Sequence, residues 1–487
     1  MLPDMHRPPY LSLIAVLACL LAAVSCAPHP PAPFGACPTP QQVAWQQMEM
    51  NLFCHFGPNT FTGAEWGDGT EPEDSFNPTD LDCRQWAATA RAAGFQGIIV
   101  TAKHHDGFCL WPSPESRHTV AHSRWRDGQG DVLRELSDAC AAEGIRFGIY
   151  ISPWDRNDPR YGSPEYNDAF VRTLESVLDG TYGPVFEQWF DGACGEGPDG
   201  KKQVYDWPRF FDTVRRLQPD AVRFSDVGPD CRWVGNERGE AGRSNWSTLR
   251  VEGFEPGAGS PQTVVLNGGS PGAPHWAAAE ADVSIRPGWF WRASETEKVK
   301  SVQELLKIYY ETVGRNALLL LNVPPDTRGR LDPVDSLRLM EFRAALDTVF
   351  AVDLAAGATV TGPSRGAGFE AANVLADDYG RYWAQPDGMV RGKLTLSFDT
   401  PRTFNRVLLQ EYIPLGQRIS AFHIDVLGAD GTWREIARET TVGYKRIVLT
   451  PSVTALAVRV VVDDALACPT LSRIGLFNDT VYCATGN

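Results

Sequence analysis

The chain has 487 residues, 43% hydrophobic and 22% charged, ordinary globular proportions that exclude a mainly disordered or fibrous protein. With 45 Lys and Arg against 60 Asp and Glu its formal charge is −15. No long basic run offsets this, so nucleic acid, which is gripped by clustered positive charge, is not an expected partner. Fifteen Trp is a high count; besides filling cores, Trp offers a flat apolar face that matches the C–H face of a pyranose.

At the start, Arg7 precedes an apolar run from Leu11 to Val24. The run is too short to cross a bilayer of roughly 30 Å as a helix but suits the core of a secretory signal peptide. Ala23-Val24-Ser25-Cys26 has the form of a bacterial lipoprotein cleavage box. Residues 1–26 are therefore expected to be a signal peptide, with the exported chain lipid-anchored at Cys26 or else plainly secreted. That places the folded part in the periplasm or on the cell surface, touching a membrane only through that anchor. Setting aside Cys19 and Cys26 leaves nine of the 11 Cys, an odd number, so at least one is unpaired or bonded elsewhere. Cys83 and Cys140 fall on apolar helix faces, and Cys54 and Cys109 in apolar segments, as core filler does. Cys468 and Cys483 are the expected pair.

From about residue 45 to 325 short apolar runs alternate with amphipathic helices. Residues 95–103 (FQGIIVTAK), 145–152 (IRFGIYIS), 184–191 (PVFEQWFD) and 317–323 (ALLLLNV) read as strands covered on both faces. Before the first, Cys83, Trp86, Ala87 and Ala90 keep helical spacing up to Gly94; before the second, Leu133, Leu136 and Cys140 do so up to Gly144. A third helix carries Phe170, Leu174, Val177 and Leu178. The alternation implies a parallel sheet. Chemically capable residues follow strand after strand: His55, then Lys103-His104-His105-Asp106, then Tyr150 and Trp154, then Asp191. A (β/α)8-type barrel gathers strand C-termini around one mouth, and neither GxGxxG nor a P-loop follows any strand, so a barrel over 27–345 is expected. Beyond it, over 346–487, the runs RGKLTLSFD, FNRVLLQEY, ISAFHIDVLG, TWREIAR, YKRIVLT and ALAVRVVVD alternate as strands of an all-β sandwich do.

Adjacent His104 and His105 admit two uses, as metal ligands or as hydrogen-bond partners of substrate hydroxyls. Neighbours on a strand point to opposite sides unless the strand breaks between them, which disfavours a shared metal. Asp191 ends a strand of bulky apolar residues; from spacing alone, capping the next loop and doing chemistry stand level. A second carboxyl, Glu237, comes 46 residues later. Two carboxyls at one mouth, one ionised and one kept protonated, suffice to cleave a glycosidic bond. Spacing does not choose Glu237 over Glu240, Glu252, Glu255 or Glu295.

Seven segments in order, HFGPNTFTGAEWG at 55–67, TAKHHDGFCLWPS at 101–113, GIYISPWDR at 148–156, EQWFDGACGEG at 187–197, RWVGNERG at 232–239, PGWFW at 287–291 and LLLNVPPD at 319–326, resemble the α-L-fucosidase family of glycoside hydrolases. The WFDGA and GNE segments look most like the branch acting on α-1,3- and α-1,4-linked fucose, and the tail resembles the β-sandwich attached to such enzymes. The resemblance implies an exo-acting, retaining hydrolase that takes fucose from fucosylated oligosaccharides without a cofactor. It places Asp191 at the nucleophile position and Glu237 at the acid/base position. It also puts His55, Glu65, Trp66, His104, His105 and Tyr150 where fucose hydroxyls are held, and Trp189 and Trp289 along the sugar pocket. The arginine of the family's pocket has no assigned counterpart here. The competing readings are a non-catalytic fucose-binding surface protein and a barrel metallohydrolase using His104 and His105.

Overall fold

The computed structural model describes residues 29–259 and 262–482. The signal segment with Cys26, and Cys483 of the expected Cys468–Cys483 pair, lie outside the described residues. Eight strands close into a barrel, in chain order around the ring and each parallel to both neighbours. They are β1 (Met50–Cys54), β2 (Gly97–Lys103), β3 (Arg146–Ile151), β4 (Val185–Trp189), β5 (Val222–Ser225), β6 (Cys231–Trp233), β7 (Ala278–Ser284) and β8 (Ala317–Asn322).

The strand sequences explain the closure. Leu318 and Leu320 of β8 point into the barrel with Ile99 of β2, whereas Leu319 and Leu321 face the helical layer with Ile98 and Val100. With successive side chains on opposite faces and both faces apolar, each strand needs cover on both sides, which an inner core and an outer helical ring supply. Helices Cys83–Ala92, Val132–Glu143, Pro164–Leu178, Trp207–Leu217, Val302–Glu311 and Pro333–Phe350 provide the ring. Asp82 and Asp131 cap two of them, accepting from Gln85 N at 3.0 Å and Arg134 N at 2.9 Å, which satisfies donors a helix start leaves open. The link from β5 to β6 carries no helix, and its Val227 packs in one cluster with Val251 and Phe254 of the segment after β6.

Next comes a six-stranded antiparallel sheet built mainly from Gly392–Gln410, Arg446–Ala465, Ile419–Leu427 and Trp433–Glu439. Two sequence expectations are corrected here. RGKLTLSFD and FNRVLLQEY are one long strand, as are YKRIVLT and ALAVRVVVD. The pairing shifts register between Ser397 and Arg402 and between Phe404 and Arg406, and irregularities of this kind bend a strand without ending it. The change of character expected at 345 falls inside the helix Pro333–Phe350, which buries Leu339, Phe342 and Leu346 in the barrel's outer core while Phe350 meets Phe477 edge-on at 5.0 Å.

The sheet docks at the end of the barrel where β1 and β8 begin. Asn316 N donates to Lys445 O at 2.9 Å, Ile447 N to Gly314 O at 2.9 Å, and Tyr444 Oη to Glu49 Oε1 at 3.2 Å. Gly443 (φ +66) makes this approach possible, since a Cβ there would lie 2.2 Å from the Asn316 side chain. The sandwich therefore braces the end of the barrel opposite the strand C-termini. Among the described residues no helix is long and apolar enough to cross a membrane.

Candidate active site

All ten site residues expected from sequence line one cavity of about 180 Å³ at the C-terminal mouth of the barrel. Tyr150 and Trp189 come from within β3 and β4, and His55, His104, His105 and Asp191 from just beyond strands. Glu65, Trp66, Glu237 and Trp289 come from the loops after β1, β6 and β7. Of the five glutamates left open by spacing, Glu237 is the one that reaches this cavity; Glu295 instead accepts from Gly288 N, and Glu240 pairs with Arg238. Lys103 and Asp106 turn away: Lys103 pairs with buried Asp155 at 2.9 Å, and Asp106 accepts from Phe108 N at 2.7 Å. Trp66, 57% exposed, stands edge-on to His105 at the rim.

Two donors orient the Asp191 carboxylate. Ala193 N donates to Oδ1 at 2.7 Å and Tyr150 Oη to Oδ2 at 3.0 Å. Burial first, then the neighbouring Asp191 charge, push the Tyr150 phenol well above its ordinary range, so it stays a donor.

β2 ends at Lys103, and the backbone turn that follows lets both neighbouring imidazoles enter the cavity, their centroids 4.1 Å apart. Burial holds His55 at about 3, His105 at about 4 and His104 well below its usual value, so all three are neutral. Their tautomers follow from their partners. Asn322 uses its amide N–H groups on Ser284 Oγ and Trp289 O, so its Oδ1 accepts from His55 Nδ1 at 2.9 Å and leaves Nε2 as an acceptor. Ser152 Oγ donates to Trp154 O, so it accepts from His105 Nδ1 at 2.8 Å and leaves His105 Nε2 toward Asp191, 3.7 Å from Oδ2. His104 Nδ1 is buried and has no protein partner. Neutral rings with open nitrogens suit polyhydroxyl ligands.

Glu237 is an exposed residue whose carboxyl sits at the cavity mouth. Desolvation there raises its pKa, Asp191 and Glu65 add negative charge in the same direction, and a hydrogen bond from Trp289 partly opposes them. The loop turns at Gly235 (φ +83), where a Cβ would meet Thr263 O at 2.3 Å, so only glycine lets the chain bring Glu237 round. Glu65 accepts from Trp289 N at 2.6 Å and pairs with Arg292, tying the β1 and β7 loops together.

The cavity also holds residues the sequence reading passed over: Phe53, Ala193, Asp226, Trp233 and Asp282. Asp226 follows β5 directly, the strand-end position that singled out Asp191, and accepts from Gly257 N at 2.7 Å; burial, then Asp191, push it to about 7. Asp282 alternates with Glu280 and Ser284 along the inner face of β7 and accepts from Trp233 Nε1 at 2.7 Å. Burial, then the charge of Glu237, raise it well above the carboxylate range. Among the described residues no arginine lines the cavity, and neither set of three side chains spaced to hold a metal lies there with His104 and His105. The arrangement offers an oriented carboxylate, a second carboxyl biased toward its acid form, neutral imidazoles and aromatic walls around a space suited to a single sugar.

Residues 35–347 match the family model described as Alpha-L-fucosidase. An Alpha-L-fucosidase 1 of Arabidopsis thaliana is 41% identical over 459 residues, covering 93% of this chain and 89% of that protein. A GH29 fucosidase of Ruminococcus gnavus, solved in complex with fucose, is 31% identical with a TM-score of 0.85, over 93% of this chain and 98% of that one. A glycoside hydrolase 29 family member from an unknown rumen bacterium is 38% identical with a TM-score of 0.81, over 93% of this chain and 79% of that one.

Proposed function

The chain belongs to the alpha-L-fucosidase family, and on that premise we propose that it is an exo-acting, retaining hydrolase with α-1,3- and α-1,4-linked (Lewis-type) fucose as its preferred substrate. Asp191 attacks the anomeric carbon while Glu237 protonates the departing glycosidic oxygen; the C1–O bond breaks and a fucosyl ester forms on Asp191. Glu237, now a carboxylate, takes a proton from water, whose oxygen attacks C1 from the vacated side and releases L-fucose with its configuration retained.

The observation that carries this reading is that Asp191 and Glu237 line one small cavity with neutral His55, His104 and His105. The open imidazole nitrogens accept from sugar hydroxyls, Trp189 and Trp289 flank the ring, and the Asp191 carboxylate stabilises positive charge developing on the sugar in the transition state. Desolvation of its carboxyl at the cavity mouth favours the acid form of Glu237 that the first step needs. An exported location, lipid-anchored at Cys26 or else secreted, completes the proposal and suits a hydrolase of extracellular glycans.

The test compares a Lewis-type trisaccharide, 2′-fucosyllactose and an aryl fucoside, following the first-formed fucose anomer by NMR. Preference for the trisaccharide with initial release of the α anomer supports the reading. Preference for the aryl compound overturns the linkage assignment, and initial β anomer overturns retention.

A further inference from the structure

Inside the barrel, below the cavity, two carboxyls face each other without a cationic partner. Glu187 of β4 and Glu280 of β7 are fully buried. One oxygen of each and Cys231 Sγ all lie within 4.8 Å of one another. Trp45 Nε1 donates to Glu187 Oε2 at 2.7 Å, and Trp189 Nε1 to Glu280 Oε2 at 2.9 Å. That leaves Glu280 Oε1 with no donor other than the Glu187 carboxyl. A hydrogen bond between two carboxyls needs a proton, and burial, reinforced for Glu280 by Glu187, raises both above the ordinary range. Two indole donors and the Cys231 thiol, which donates to Glu187 Oε1 at 3.8 Å, are thus the pair's partners.

Trp189 links this pair to the sugar site. Its ring lines the cavity, stacks on Phe224 at 4.0 Å and 8°, and stacks on Tyr150 at 5.3 Å and 23°. Stacking sets the plane of the indole, and the bond to Glu280 sets its rotation within that plane. We propose that the buried Glu187–Glu280 pair is a positioning device for the sugar pocket, holding the Trp189 indole in the orientation that meets fucose. This rests on the fucosidase reading above. Neither carboxyl touches substrate; both act through Trp189.

The experiment is a double-mutant cycle on the full chain with Glu280→Leu, Trp189→Phe and the two combined, plus Glu280→Gln as the conservative variant. Its readouts are kcat and KM on an aryl fucoside and calorimetric binding of free fucose. Glu280→Leu is expected to raise KM and weaken fucose binding about tenfold, with kcat little changed, because the indole N–H loses its buried acceptor. In the Trp189→Phe background the same change adds less than about twofold. Glu280→Gln, whose amide keeps an acceptor for Trp189 and offers N–H to Glu187, recovers most of the affinity. Equal effects in both backgrounds, or a Glu280→Leu effect confined to melting temperature, overturn the proposal. Should Glu280→Leu fail to fold, Glu280→Met takes its place in the cycle: a loss of affinity that vanishes in the Trp189→Phe background supports the proposal, and equal effects in both backgrounds overturn it. Wild-type protein that neither binds nor releases fucose sinks the fucosidase reading itself, whereas an additive cycle on active protein sinks only the positioning role.

Discussion

Tyr150 donates its hydroxyl to Asp191 Oδ2 at 3.0 Å while its ring stacks on Trp189. One residue of β3 thus orients a carboxylate beyond β4 and leans on the wall of the sugar pocket. Tyr150→Phe keeps the stack and removes the bond. Loss of a hydrogen bond to a charged group is expected to lower kcat roughly 10- to 100-fold, with a smaller change in KM. Steady-state kinetics on an aryl fucoside check this, and an unchanged kcat would show that Ala193 N alone holds the carboxylate.

The two carboxyls are separable by leaving group. Asp191→Ala should abolish turnover of every substrate. Glu237→Ala should slow a natural oligosaccharide about 10²- to 10⁴-fold, the usual worth of general acid catalysis, and an activated aryl fucoside far less. Added azide should partly restore the second variant. Undiminished activity of either variant on oligosaccharide would remove that residue from its role.

The acid form of Glu237 is favoured by desolvation of its carboxyl at the cavity mouth and by Asp191 and Glu65, and disfavoured by the hydrogen bond from Trp289. The acid must be protonated for the first step, so kcat/KM falls as pH rises through its raised pKa. Trp289→Phe removes the opposing bond, so the alkaline limb should move to higher pH even as KM worsens. A pH–rate profile of both proteins reads this, and a limb that stays put or moves down contradicts it.

Asp226, pushed up to about 7 in the folded protein, holds its proton to a higher pH than in the unfolded chain, where an ordinary aspartate gives it up near 3.8. Its contribution to stability is therefore complete below about 3.8 and is lost as pH rises toward 7. Asp226→Asn keeps an acceptor for Gly257 N and cannot ionise, so its melting temperature should exceed that of wild type by roughly 2–6 °C at pH 8, and the difference should shrink at pH 4. Calorimetry at the two pH values tests the sign.

Much of this was legible along the chain. Runs such as GIIVTAK and ALLLLN announce strands covered on both faces, helical spacing before Gly94 and Gly144 places the outer layer, and polar residues just past each run mark the barrel's mouth. Other features were not. FNRVLLQEY reads as a separate run, and only pairing with Arg446–Ala465 carries the ladder through the bend. His104 and His105 enter one cavity because the strand stops before them, a backbone event their identities do not announce.

Hydrophobic periodicity and strand ends are local properties of a chain, so the barrel, its mouth and the residue types gathered there can be read from the residues in order. Which glutamate shares the cavity with Asp191, and that burial raises the carboxyls of Asp226, Asp282, Glu187 and Glu280, depends instead on the packed structure. A carboxyl's role is set by its distance from water and from other charges, and those distances exist only once remote segments have packed together.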